Sequence, residues 1–179
     1  MSMAHWIRSN GFTMAEILLN RRIAATRDPA PRRRAEVGAA LVAGVVAGSA
    51  LLTLLVMLSV GLYDEPAWKI PQMIGATLKG TGGAGLRDFD PALAALGVAI
   101  HFTLSLLYAL AFAGLTVELR RNAALAGILF GVALYVANFY GFTQLFPWFL
   151  ELRTPDTLAA HAFYGLLLAC IYKDTCAVR

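Results

Sequence analysis

Four polar side chains interrupt otherwise apolar stretches of this chain: His101, Asn138, Gln144 and His161. An imidazole or amide in apolar surroundings costs free energy unless it finds a partner, so these residues are the first candidates for chemistry. Imidazole can ligate a haem iron, carry a proton or hold a polar ligand group. Three readings of the set stay open. In the first, His101, His161, Asn138, Ser105 and Tyr108 or Tyr135 satisfy one another and lock the packing. In the second, His101 and His161 are the two axial ligands of a b-type haem. In the third, the same pair, with Asn138 beside it, holds a quinone or a metal ion or carries a proton. A metal wants more ligands than two histidines, and no carboxylate is expected at their depth.

The elements that position these residues follow from where charge is missing. Val37–Tyr63, Ala92–Val117, Asn122–Leu150 and Thr157–Tyr172 contain no Asp, Glu, Lys or Arg. A bilayer core of about 30 Å needs roughly 20 helical residues, so the first three runs are long enough to cross it. Thr154 and Pro155 read as N-cap and first helical residue of the last run, extending it to about 19 residues. The expected fold is all-α: an integral membrane four-helix up-down-up-down bundle with short in-plane surface helices. Its spans are expected at about 37–63, 91–117, 122–150 and 155–172. A basic cytoplasmic extension over 1–35 precedes the bundle of 36–173, and a cytoplasmic tail over 174–179 follows it.

Charge placement orients the bundle. Of the 15 Lys and Arg residues, 7 precede the first span, 2 lie in the Glu118–Arg121 turn and 2 in the C-terminal tail, against 4 on the other side. The positive-inside rule puts both termini in the cytoplasm. The net charge of +4 therefore reports topology rather than a nucleic-acid partner. At 59% apolar residues and a mean hydropathy of +0.65, the 179 residues are used up by four spans and their connections, which leaves no room for a soluble catalytic domain. With this orientation, a rise of about 1.5 Å per residue puts His101 and His161 about 4–5 Å to the periplasmic side of the midplane. Asn138 falls about 3 Å to the same side. Helical phase puts His101 on a stripe with Gly97, Ser105 and Tyr108, Asn138 with Gly127 and Gly131, and His161 with Gly165 and Tyr172.

Several connecting features are readable. Thr13 and Glu16 have capping-box spacing, so a short helix over about Met14–Ala25 is expected on the anionic inner leaflet, or as a docking site for a cytoplasmic partner. Pro29–Arg34 should break any helix. Ala40, Gly44 and Gly48, and again Ala123, Gly127 and Gly131, form small-residue ridges for close packing within the bundle or against another subunit. In the longest connection, Ile70, Met73, Ile74, Thr77 and Leu78 have helical rhythm from Pro71 onward, Trp68 precedes them, and the glycine-rich run from Gly80 to Gly85 reads as a tether. The stretch from Asn138 to Glu151 is dense in aromatic residues. It suits an interfacial collar or a contact surface for lipid or a partner, with Trp68, Tyr140, Phe146 and Trp148 as contacts and Glu151 and Arg153 at the rim. Pro147 should loosen the last turn there. Cys170 and Cys176 read as plain thiols in a reducing compartment.

The run NFYGFTQLFPWF from Asn138 to Phe149 is similar to that of small uncharacterised bacterial inner-membrane proteins of four helices. HFTLSLLY from His101 and HAFYG from His161 share this likeness. The resemblance covers residues 38–173 and implies a membrane bundle in a bacterial inner membrane. It carries no reaction, ligand or catalytic residue. With no catalytic motif in view, the expected function is that of a non-catalytic accessory subunit. Such a subunit packs against a larger membrane complex, such as a respiratory one, or against its own copies. A haem b- or quinone-binding bundle is the alternative, and a small-solute transporter the third reading.

Overall fold

The computed structural model describes residues 30–80, 88–115 and 122–177. The expected helix over Met14–Ala25, most of the glycine-rich tether and the Glu118–Arg121 turn lie outside these residues. The described residues are helical with no strand: α1 (Ala30–Tyr63), α2 (Lys69–Lys79), α3 (Pro91–Leu115), α4 (Ala123–Val136) and α5 (Pro155–Ala177). Between α4 and α5 run a π turn (Ala137–Gly141) and two 3₁₀ turns (Phe142–Gln144 and Pro147–Leu152). All but the first turns of α1 belong to one compact unit, Ala35–Arg179. Among the described residues three stretches are long and apolar enough to cross a membrane: Arg33–Tyr63, Pro91–Leu115 and Ala123–Gln144. The 23-residue α5 is long enough too, but Asp156, His161, Lys173 and Asp174 dilute its apolar content.

Two expectations about helix ends are corrected. Pro29–Arg34 does not keep the chain out of helix, because α1 already begins at Ala30. Pro31 sits in the first turn, where its missing N–H has no intrahelical partner to lose. The third long run, expected as one helix to Leu150, leaves α geometry at Val136. Phe146, the residue before Pro147, is pushed to an extended conformation (φ −128°, ψ 77°), so the α-helix cannot continue through it. The start of α5 is as expected: Thr154 Oγ1 accepts the N–H of Thr157 at 3.3 Å and donates to its hydroxyl at 2.9 Å.

Helices meet on glycine. A methyl group on Gly44 would lie 2.8 Å from Cβ of Ala109, and one on Gly48 would lie 2.5 Å from Oγ of Ser105, both on α3. On α4, a methyl on Gly127 or Gly131 would strike the carbonyl oxygens of Gly165 or His161 on α5. The small-residue ridges therefore serve packing within the chain. The pairing order is consistent along each seam. Residue numbers fall on α3 as they rise on α1, and fall on α5 as they rise on α4. Between α3 and α5 they rise together, through Ser105 with Tyr164 and Phe112 with Tyr172.

The α2 helix differs from its periodicity. Ile70 and Met73 are buried as expected, but so are Gln72, Gly75 and Ala76, while Leu78 is exposed. Gly75 and Gly97 carry no side chain, which lets α2 lie directly on α3. Gln72 then ties down the approach to α3, donating to the Asp88 carbonyl at 3.0 Å and accepting the Asp90 N–H at 2.8 Å. Gly80, in the left-handed region at φ 66°, ends α2 with its N–H on the Ala76 carbonyl at 2.9 Å.

These seams give a test. Gly131→Ala should lower stability by about 1–3 kcal/mol, because the added methyl meets backbone that cannot move aside. Gly61→Ala has open space around it and should raise stability by about 0.5–1 kcal/mol. Unfolding of the purified protein in detergent, followed by circular dichroism, measures both.

Candidate functional site

His101, Asn138 and His161 line one cavity of about 300 Å³. Its walls come from every long helix and from α2: Leu51 and Leu55 of α1, Ile70 and Ile74 of α2, Ile100 and Leu104 of α3, and Leu134 of α4. Phe139, Phe142, Phe146 and Phe149 of the aromatic stretch also line it. Leu78 and Phe142 also line it and are themselves 71% and 44% exposed, which marks its mouth. No Asp, Glu, Lys or Arg is among its lining residues.

Each polar group in the wall is held by a nearby element. The Gly48 backbone approaches α3 so closely that its carbonyl accepts Nε2–H of His101 at 2.8 Å. One turn earlier, the Gly44 carbonyl accepts the Ser105 hydroxyl at 2.8 Å. The Tyr164 hydroxyl, on a side chain 1% exposed, sits 3.2 Å from Oγ of Ser105 and 3.3 Å from its carbonyl oxygen. Tyr108 donates to Oδ1 of Asn138 at 3.0 Å. His161 is 4% exposed and donates Nδ1–H to the Thr157 carbonyl one turn back, at 2.9 Å. The rings of Tyr135 and Phe139 pack edge-on against it, with centroids 5.9 and 5.3 Å away.

Of the mutual polar network read from the sequence, the Tyr108–Asn138 bond is present, but neither histidine bonds to another of its members. Both imidazoles bond to backbone carbonyls, because glycine seams and the helix turn itself bring those acceptors nearest. Tyr135 donates to the Thr154 carbonyl at 3.5 Å rather than to either histidine. Gln144 is exposed and takes no part in the cavity. Tyr164 belongs to the site and is absent from the sequence-based set. Its place one helical turn from His161, on the same face, is the signal that identifies it. Nε2 of His101, one of the two nitrogens the haem reading needs, is bonded to the Gly48 carbonyl.

Asn138 owes its place to the π turn, a form common at functional sites. Within this turn the Phe139 carbonyl accepts from two side-chain donors. Thr143 Oγ1–H reaches it at 2.9 Å, and Arg153 donates its Nε–H to the same oxygen and a second N–H to Thr143. The Arg153 guanidinium also lies 4.5 Å from the centre of the Tyr140 ring. Most of the expected outward contacts turn inward in the same way. Trp148 is half-buried and donates Nε1–H to the Met73 carbonyl at 3.0 Å, and Phe146 lines the cavity. Glu151 pairs with Lys69 at 3.1 Å, and Lys69 pairs with Glu65 at 2.8 Å. Trp68 stacks against Phe89 with ring centres 5.4 Å apart, and its Nε1–H is buried without a hydrogen-bond partner. Of the six, Tyr140 and Glu151 remain exposed.

Compared with known proteins, the chain matches no family, no curated protein and no solved structure.

Two measurements follow from these contacts. Arg153→Met should lower stability by about 1–3 kcal/mol, since it strips one donor from the Phe139 carbonyl and another from the Thr143 hydroxyl. Burial works to lower the pKa of Lys69, but its bonds to Glu65 and Glu151 outweigh that and raise it above the ordinary lysine value of 10.5. A raised folded-state value means the stabilisation is fully present below pH 10.5 and fades as pH rises beyond it. The stability gap between wild type and Lys69→Met should therefore be flat from pH 7 to 9 and shrink only above the lysine range, as read from paired melting curves.

Proposed function

We propose that this chain is a non-catalytic accessory protein of a bacterial inner membrane, with four spans running up-down-up-down and both termini cytoplasmic. Its own contribution is to hold a lipid-soluble organic molecule inside the bundle. Pairing order along the glycine seams supports the up-down arrangement, and the 11-to-4 division of Lys and Arg supports the orientation. The observation that carries the ligand reading is the cavity. At about 300 Å³ it reaches the lower end of small-molecule sites, which are apolar with a few placed polar groups. Its mouth beside Leu78 and Phe142 is apolar, so a molecule dissolved among acyl chains enters without leaving an apolar medium.

A b-type haem is not favoured, because His101 already gives Nε2 to the Gly48 carbonyl. The protein purified from native membranes should therefore show no Soret band. Its organic extract should contain a small lipid-soluble compound in near-stoichiometric amount, detectable by mass spectrometry. Tyr164→Ala and Leu134→Trp, which respectively remove and fill cavity wall, should change the amount recovered. An extract holding only bulk phospholipid in all three proteins would overturn the ligand reading.

A further inference from the structure

The cavity holds two polar groups of opposite sense that nothing in the protein satisfies. A backbone carbonyl can only accept, so the bond to Thr157 fixes the hydrogen of His161 on Nδ1. An uncharged ring then presents a bare lone pair at Nε2. No carboxylate lines the cavity to pair with a charged ring. Among the described residues Nε2 has no hydrogen-bond partner, although the side chain is 4% exposed. Asn138 is the reverse case. Its Oδ1 is taken by Tyr108, and its amide N–H groups have no partner among the described residues. Both residues line the apolar cavity, so each group specifies what a ligand there must bring.

We infer that the cavity is a binding site for a hydroquinone carrying an apolar tail, and that it prefers the hydroquinone to the corresponding quinone. This rests on the ligand-holding reading above and deepens it. His161 Nε2 needs a hydroxyl that donates, and the Asn138 amide needs an oxygen that accepts. A hydroquinone hydroxyl meets the first, and an oxygen of the same head group meets the second. A quinone oxygen has only lone pairs and would face the lone pair of Nε2, leaving both unpaired. An aromatic head group suits the wall, where Phe139, Phe149 and Tyr164 present rings. The size agrees as well. An apolar cavity of about 150 Å³ admits benzene, so one twice as large takes a substituted ring and the start of its tail. The rest of the tail leaves past Leu78 and Phe142 into the acyl region.

The test uses the full chain in nanodiscs with a decyl-substituted benzoquinol and the matching benzoquinone. Quenching of Trp148, which packs against Phe146 and Phe149, reports occupancy. The quinol should bind roughly tenfold or more tightly than the quinone, the size of one hydrogen bond left unmade. His161→Phe should erase that preference while keeping the cavity apolar. Because His161 is buried and its loss could disturb folding, Asn138→Leu provides a second variant, expected to weaken both forms. Circular dichroism of each variant identifies any that fails to fold. Equal binding of the two forms, or a preference that survives in folded His161→Phe, overturns the inference and leaves the ligand-holding role standing. If neither form binds and the native extract holds only phospholipid, both fall.

Discussion

Contact between helix backbones at glycine is the constraint from which the rest of the structure follows. Where Gly44 and Gly48 face α3, the α1 backbone comes near enough for its carbonyls to accept hydrogen bonds from Ser105 and His101. Where Gly127 and Gly131 face α5, the backbones touch with no room for a methyl group. A polar side chain in apolar surroundings must find a partner, and at these seams the nearest acceptor is main chain. Helix packing and polar satisfaction are thus one event. Changing a seam glycine moves a hydrogen bond as well as a helix.

The cavity borders the α1–α3 seam, because Ser105 and His101, which bond to the Gly44 and Gly48 carbonyls, also line it. The π turn is decisive there. It ends α4 early, turns Asn138 and Phe139 inward and lets the following turns fold back over the opening. Its Phe139 carbonyl accepts from Thr143 and Arg153, and Trp148 fixes the returning chain to α2 through the Met73 carbonyl. A space maintained by several separate ties is a feature of the fold rather than a packing fault. Its unmatched polar groups are the reason for assigning it a ligand.

Much of this was legible from local pattern. Uncharged runs located the long helices, Thr154 marked the start of α5, and Gly80 marked the end of α2. Small-residue ridges located two seams. Where local pattern misled, the cause was a contact distant in sequence. Pro31 sits within a helix because it is in the first turn. Gln72 is buried because Gly97, 25 positions later, lets α2 settle onto α3. Trp148, Glu151 and Arg153 read as interfacial anchors from composition, yet each bonds to its own chain.

The sequence by itself marked His101, Asn138 and His161 as the polar positions within uncharged apolar runs, because an isolated imidazole or amide among apolar residues is legible residue by residue. Only the tertiary structure decided that they line a common cavity, that each imidazole takes a carbonyl rather than the other imidazole, and that Tyr164 joins them. Hydrogen-bond choice depends on which acceptor lies within about 3 Å. That distance is set by how closely two helices approach, and no spacing along one chain segment encodes it.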